Sequence, residues 1–228
     1  MRIGIVTGLV SEAACLGRAG LGEGARVLCT GARPGAAARA AAALVADGCR
    51  GLVSFGTAGG LATGLAAGTV VLAAVVISDD GARLAVDPGW HQRVRVRVGG
   101  ALPLVVDAIA TVADPLLTPE AKVACRRATG AVAVDMESGE VARVAAAAAI
   151  PFLVVRAIAD PAERTIPAWV MQAVTADGRT RITPVVAHLA RRPGDAAALF
   201  RLARDARAAL RGLGRVATLA GPLLALDG

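Results

Sequence analysis

The alternation of apolar and polar positions centres on the stretch from Ala131 to Asp160. An apolar run, Ala131 to Val134, stops at the acidic cluster Asp135-Met136-Glu137-Ser138. Gly139 to Ile150 is Ala-rich and predicts a buried helix, and a β-rich run from Phe152 to Ile158 leads to a further carboxylate, Asp160. Strand, helix and strand predict a βαβ unit with parallel strands. Their carboxyl ends would share one sheet edge, where open α/β folds place ligands. Glu137 and Asp160 would then face one cleft. Two carboxylates and Arg156 are expensive to bury in so apolar a chain without a use. The plain alternative is that they cap the helix and pair with Arg156.

The same patterning predicts the remaining elements. Met1 to Gly8 reads as a first strand rather than a leader, because its apolar run is broken by Gly4 and Gly8 and ends at Glu12. Glu12 falls in the loop that follows, or serves as a charge at a helix N-terminus. Gly20 to Gly31 predicts a hairpin-like passage with Val27 to Cys29 as a strand, then a turn and a helix from about Gly35 to Asp47 with Pro34 at its start. Gly51 to Ser78 carries no charge but is punctuated by Gly56, Gly59, Gly60, Gly64 and Gly68. It predicts two strands, Leu52 to Phe55 and Val70 to Ile77, around a glycine loop, Gly56-Thr57-Ala58-Gly59-Gly60, that lets a ligand approach the backbone. The glycine spacing does not fit a dinucleotide fingerprint. Asp79 to Gly100 is expected to be irregular and Ala101 to Ala110 helical, with a strand near Thr111 to Ala113. A short helix then covers Glu120 to Thr129, with Thr118 as N-cap and Pro119 at its first position. Pro161 to Pro167 reads as a polar lid.

Composition narrows the classes. The chain has 228 residues and a net charge of +7, and Lys122 is the only lysine among 25 basic side chains. An apolar share of 55% supports one α/β domain over 1–228, with a helical extension over about 185–226. Aromatics are only 2%, too few to stack bases, so nucleic acid is not expected as a partner. Cys15, Cys29, Cys49 and Cys125 show neither metal-ligand nor disulfide spacing, so no metal is expected and a reducing cytoplasm is the default. His91 and His188 have no nucleophile signature beside them. In the last helix Leu199, Leu202, Ala206, Leu210 and Leu213 form an apolar stripe beside Arg201, Arg204, Arg207, Arg211 and Arg215. The stripe either packs on the core or, with the arginines, holds the protein peripherally on an anionic membrane face.

Three blocks, Val53 to Leu61, Ala133 to Ser138 and Val154 to Asp160, resemble the signature segments of the purine nucleoside phosphorylase and methylthioadenosine/adenosylhomocysteine nucleosidase superfamily. They occur in the family's order over roughly the first 170 residues. Asp135-Met-Glu-Ser138, Asp160-Pro-Ala-Glu-Arg164 and Leu189-Ala-Arg-Arg-Pro193 look most like hopanoid-associated phosphorylases, which are taken to remove adenine from adenosylhopane. The resemblance implies a three-layer αβα fold with a mixed central sheet, a homo-oligomer and no cofactor, with phosphate as an alternative nucleophile to water. It assigns Asp160 as the acid that protonates the leaving purine, Glu137 as acceptor of the ribose hydroxyls with Asp135 and Met136 beside it, and Glu12 as the base. Thr57, Ala58, Gly59 and Arg156 match positions around the attacking water, and Leu116 and Leu117 match the segment that reads adenine. Ser54 stands where family phosphorylases usually carry a phosphate-binding arginine. The segment between Ser78 and Ala101 is short, which would leave the 5′ side open to a bulky substituent. The implied substrate is an adenine nucleoside with a large 5′ group, adenosylhopane in the first place, with the smaller nucleosides of the nucleosidase branch or of other purine nucleoside phosphorylases as the alternative.

Overall fold

The computed structural model describes residues 2–226 except 32, 34 and 174. The proposed first helical residue Pro34 therefore lies outside the described residues. In chain order the elements are β1 (Ile3–Thr7), α1 (Val10–Ala19), β2 (Ala25–Cys29), α2 (Ala36–Ala46), β3 (Leu52–Gly60), β4 (Val70–Ile77) and β5 (Arg83–Ala85). Then follow α3 (Pro88–Val98), β6 (Leu104–Thr111), α4 (Pro119–Thr129), β7 (Ala133–Asp135), α5 (Ser138–Ala147), β8 (Phe152–Asp160), α6 (Ile182–Arg191) and α7 (Ala196–Ala220).

The strands form one mixed sheet that closes on itself. β3 pairs β8 in parallel, β8 pairs β4 antiparallel, β4 and β6 are parallel, β6 and β7 are parallel, and β7 returns antiparallel to β3. β1 pairs the first half of β3 and carries β2 outside it, while β5 lies against the end of β4. Helices cover both faces. α1, α3 and α7 bury Leu16, Trp90, Val94, Ala209 and Leu213 against Ile5, Phe55 and Val155, and α2 and α5 bury Ala41, Leu44, Val141 and Ala145 against Val6, Val71 and Val154. This is the mixed α/β architecture expected from the sequence.

Several local expectations are corrected. β7 and β8 run in opposite directions, because β7 enters the ring through β6 and β8 enters it beside β3. What joins their ends is Gly59, whose register partners are Val134 of β7 and Asp160 of β8. A Cβ on Gly59 would lie 3.1 Å from Asp160 Oδ2 and 3.2 Å from Val134 Cγ1, so the bare backbone is what lets the two strand ends converge there. The segment from Gly56 to Gly60 is thus strand, with a register shift at Ala58/Gly59, rather than a loop. β1 and β2 are parallel, which rules out the hairpin.

The Arg93, Arg95 and Arg97 stretch is helix α3. Its alternation imitates a strand, but Trp90, Val94 and Val98 recur at helical spacing and are buried, and Asp87 caps the first turn by accepting from Trp90 N at 2.6 Å. Leu104–Thr111 is a strand parallel to β4, not a helix.

In α7, Leu213 is fully buried, Leu199, Leu202, Ala206 and Leu210 are half-buried, and the five arginines are exposed. Leu213 and Leu210 pack into the core beside residues of β8 and α1, so the stripe is used in part against the protein. No helix among the described residues is long and apolar enough to cross a membrane. Leu213→Ala is expected to lower unfolding free energy by about 2–5 kcal/mol in urea denaturation, whereas Arg201→Ser should change it by no more than about 0.5 kcal/mol.

Candidate active site

The charged residues inside the ring are organised by Arg156, in the middle of β8 and only 1% exposed. Its Nη2 lies 2.6 Å from Asp135 Oδ2 and 3.1 Å from Glu137 Oε2, and it donates to Ser54 Oγ at 2.7 Å and Ser138 Oγ at 3.2 Å. Nη1 donates to the Thr57 carbonyl at 3.4 Å. Burial works against the guanidinium charge, but Asp135, Glu137 and Glu12 more than offset this and raise its pKa. Gly56 has no side chain because a Cβ there would sit 2.5 Å from Arg156 Nη1 and 2.8 Å from Glu12 Oε2.

Asp135, at the end of β7, is nearly saturated. It takes Arg156 and Ser138 on Oδ2, and Oδ1 accepts from Thr111 Oγ1 at 2.8 Å and Ser138 N at 3.3 Å. It holds the strand end in place. Glu137, two residues on, keeps about a quarter of its side chain open to the cleft. Burial pushes its carboxyl up to about 7, with Arg156 pulling down and Asp135 and Glu12 pushing up.

Glu12 sits in the first turn of α1 rather than in a loop, and its carboxylate is buried. Oε2 accepts from Gly8 N at 3.0 Å and Leu9 N at 2.9 Å, and Oε1 accepts from both Thr57 N and Thr57 Oγ1 at 2.8 Å. Of these four donors only the Thr57 hydroxyl can rotate away and free a lone pair. A Cβ on Gly8 would meet Glu137 Oε1 at 3.0 Å and Glu12 Oε2 at 3.7 Å, so both carboxylates border the space above this glycine.

These side chains meet in a cavity of about 260 Å³ lined by Glu12, Thr57, Ala58, Gly59, Leu116, Asp135, Met136, Glu137 and Asp160. Ile166 and Met171, from the segment after β8, close its other side. Arg156 and Leu117 stand behind the wall; the Leu117 carbonyl accepts from Ile166 N at 2.8 Å and so ties down the segment after β8. Asp160 is 15% exposed, and burial pushes its carboxyl up to about 6 against the pull of Lys122, whose Nζ lies 2.6 Å from Oδ2. The sequence reading missed Lys122, Ser138 and Thr111. Only Lys122 carried a signal, as a lone lysine in an arginine-rich chain.

Met136 and Glu137 also line a second, larger cavity of about 600 Å³, whose walls include Arg33, Asp79, Asp114, Glu140 and Arg143. Arg143 pairs with Asp79 at 3.3 Å and Asp80 at 2.9 Å, at the start of the short segment between Ser78 and Ala101. Glu140 accepts from Gly35 N at 3.1 Å and Ala38 N at 2.9 Å, tying α5 to the start of α2.

The fold is shared with several solved enzymes. A methylthioadenosine/adenosylhomocysteine nucleosidase from Neisseria meningitidis, in complex with methylthio-immucillin-A, aligns over 96% of this chain and 98% of its own at 17% identity and a TM-score of 0.72. An adenosylhomocysteine nucleosidase from Streptococcus pyogenes, in complex with 5-methylthiotubericidin, aligns over 96% of both chains at 18% identity and a TM-score of 0.70. Futalosine hydrolase from Helicobacter pylori aligns over 70% of this chain and 88% of its own at 17% identity and a TM-score of 0.64. No curated protein matches by sequence. Residues 5–191 match the phosphorylase superfamily, which agrees with the shared fold and with the order of the three sequence blocks: the protein belongs to that superfamily.

Proposed function

We propose that the protein hydrolyses the N-glycosidic bond of an adenine nucleoside, with water as the nucleophile. The observation that carries this reading is one cavity bordered by four carboxylates, of which Asp135 is spent on Arg156 and three stand in different settings: Asp160 with its carboxyl raised by burial, Glu12 tied down by four N–H and O–H donors, and Glu137 between protein and cleft. Asp160 donates its proton to N7 of the purine as the C1′–N9 bond breaks and the bonding pair goes to the base. Water oxygen bonds to C1′ and gives its proton to Glu12, for which the Thr57 hydroxyl turns aside. Glu137 accepts the ribose hydroxyls, Met136 packs under the sugar, and the backbone around Leu116 meets the adenine. An acid and a base on opposite sides of a sugar with oxocarbenium character follow the logic of glycoside hydrolysis.

Two features favour water over phosphate. Ser54, where the resembled phosphorylases carry an arginine, is fully buried and bonded to Arg156 and Ser138. Arg156 itself is committed to Asp135 and Glu137. The lining of the second cavity bears on the 5′ substituent. Charged residues there suit a polar substituent of the adenosylhomocysteine kind better than the hydrocarbon skeleton of adenosylhopane.

Adenine release from adenosylhomocysteine is expected without phosphate, at a kcat/KM at least about tenfold above that for adenosylhopane; strict phosphate dependence overturns the hydrolytic reading. Asp160→Asn should lower turnover by about 10²–10⁴ with the fold retained, and near-native turnover removes Asp160 from its role. Since the acid must be protonated, wild-type kcat/KM should fall tenfold per unit above about 6, and since the base must be ionised it should fall toward acid pH as well. Glu12→Gln should slow hydrolysis by a similar factor with KM little changed, while Glu137→Gln should raise KM and lower kcat together.

A further inference from the structure

α4 lies at the edge of the fold, and the only one of its residues that is buried is its single lysine, Lys122, with no exposed surface. An ammonium is among the costliest groups to place there. Its surroundings are four oxygens at the end of β8 and in the following turn. Asp160 Oδ2 is at 2.6 Å, the Pro161 carbonyl at 3.0 Å, the Arg164 carbonyl at 3.1 Å and the Asp160 carbonyl at 3.4 Å. If Lys122 served only to bind the turn, the three carbonyls would match its three N–H donors. The shortest contact instead goes to the carboxylate that faces the cavity.

We propose that Lys122 is a positioning residue for base release: it fixes Asp160 through Oδ2, leaves Oδ1 for the purine, and stands as the built-in counter-ion for the carboxylate that remains after the proton has gone. This rests on the reading of Asp160 as the acid. In the step the Asp160 O–H bond breaks and an N–H bond forms on the purine. The electron pair of that O–H bond stays on Asp160, whose new negative charge is met at once by the ammonium. Burial alone would keep Asp160 protonated but make it a reluctant donor, whereas a fixed cation beside it makes donation favourable.

The other charged groups near the carboxyl are Arg164 and Asp205. Arg164, in the turn after β8, donates to Asp205 Oδ2 of α7 from Nε at 3.1 Å and Nη2 at 2.7 Å. They oppose one another and are paired together, so Lys122 is the cation left to answer Asp160.

The test uses the full-length protein. Because Lys122 is the only lysine, labelling with ¹³Cε/¹⁵Nζ-lysine gives a single side-chain signal. That signal is expected to shift with pH at the midpoint of the alkaline limb of kcat/KM, and to stay flat across the same range in Asp160→Asn. A signal that ignores pH in the wild type, or one that titrates equally in Asp160→Asn, overturns the proposal whether or not any lysine variant folds. Where Lys122→Met folds, shown by circular dichroism and a cooperative melt, its alkaline limb should move up by about one pH unit or more. Its kcat should fall about 10- to 100-fold with KM little changed, and Lys122→Arg should restore the limb toward its wild-type position. An unmoved limb in folded Lys122→Met also overturns it. Absence of adenine release from the wild type, with the lysine signal still titrating against Asp160, sinks the functional reading and not the pairing.

Discussion

The closed ring of strands depends on the charge of Arg156. A guanidinium cannot be left unpaired in an apolar interior without a penalty of several kcal/mol. The chain meets that demand with groups from three places: Asp135, Glu137 and Ser138 at the end of β7, Ser54 in β3, and the Thr57 carbonyl further along β3. The guanidinium therefore ties β8 to β3 and to the β7–α5 turn at once. Its Nε has no hydrogen-bond partner among the described residues, the polar contacts being gathered at Nη2 and Nη1. The residues that neutralise Arg156 are also those that border the cavity, so the same electrostatic requirement builds the interior and shapes the site.

Glycine is used where these groups crowd together. Gly56 admits the Arg156 and Glu12 side chains, Gly59 admits Asp160 against Val134, and Gly8 leaves room between Glu12 and Glu137. None of the three has a left-handed backbone; each is needed for space alone. This is why the glycine-rich stretch after Phe55 reads as a loop in the sequence yet is strand in the structure. The pairing partner that makes it a strand, β8, lies about a hundred residues away.

Legibility followed the range of the forces involved. The apolar runs of β1, β3, β4 and β8 and the cap at Thr118 are local signals, and the sequence shows them directly. So is the grouping of Asp135, Met136 and Glu137 before a helix. The directions of β7 and β8 depend on ring closure, which no local pattern encodes. Between Pro88 and Thr111 the sequence suggests irregular chain and then a helix where the structure has α3 and β6, and over 93–98 the alternation of arginine and valine masks the helical spacing. Trp90, four residues before Val94, is the anchor that decides for the helix. Lys122 was hidden for another reason: a lysine on a short polar helix reads as a solvated side chain until its four oxygen neighbours are in place.

The closure at Gly59 also bears on how the molecule reaches its native state. β3 must find β7 and β8 across a long stretch of intervening chain, and such non-local pairings are slow to form because the loop entropy comes before the contact energy. Glu12, Thr57, Glu137 and Asp160 come from α1, β3, the β7–α5 turn and β8, and only the closed ring sets them side by side. A partly folded chain with its helices formed and its ring open would lack the site entirely. Recovery of the cavity during refolding thus reports closure of the ring rather than the amount of helix.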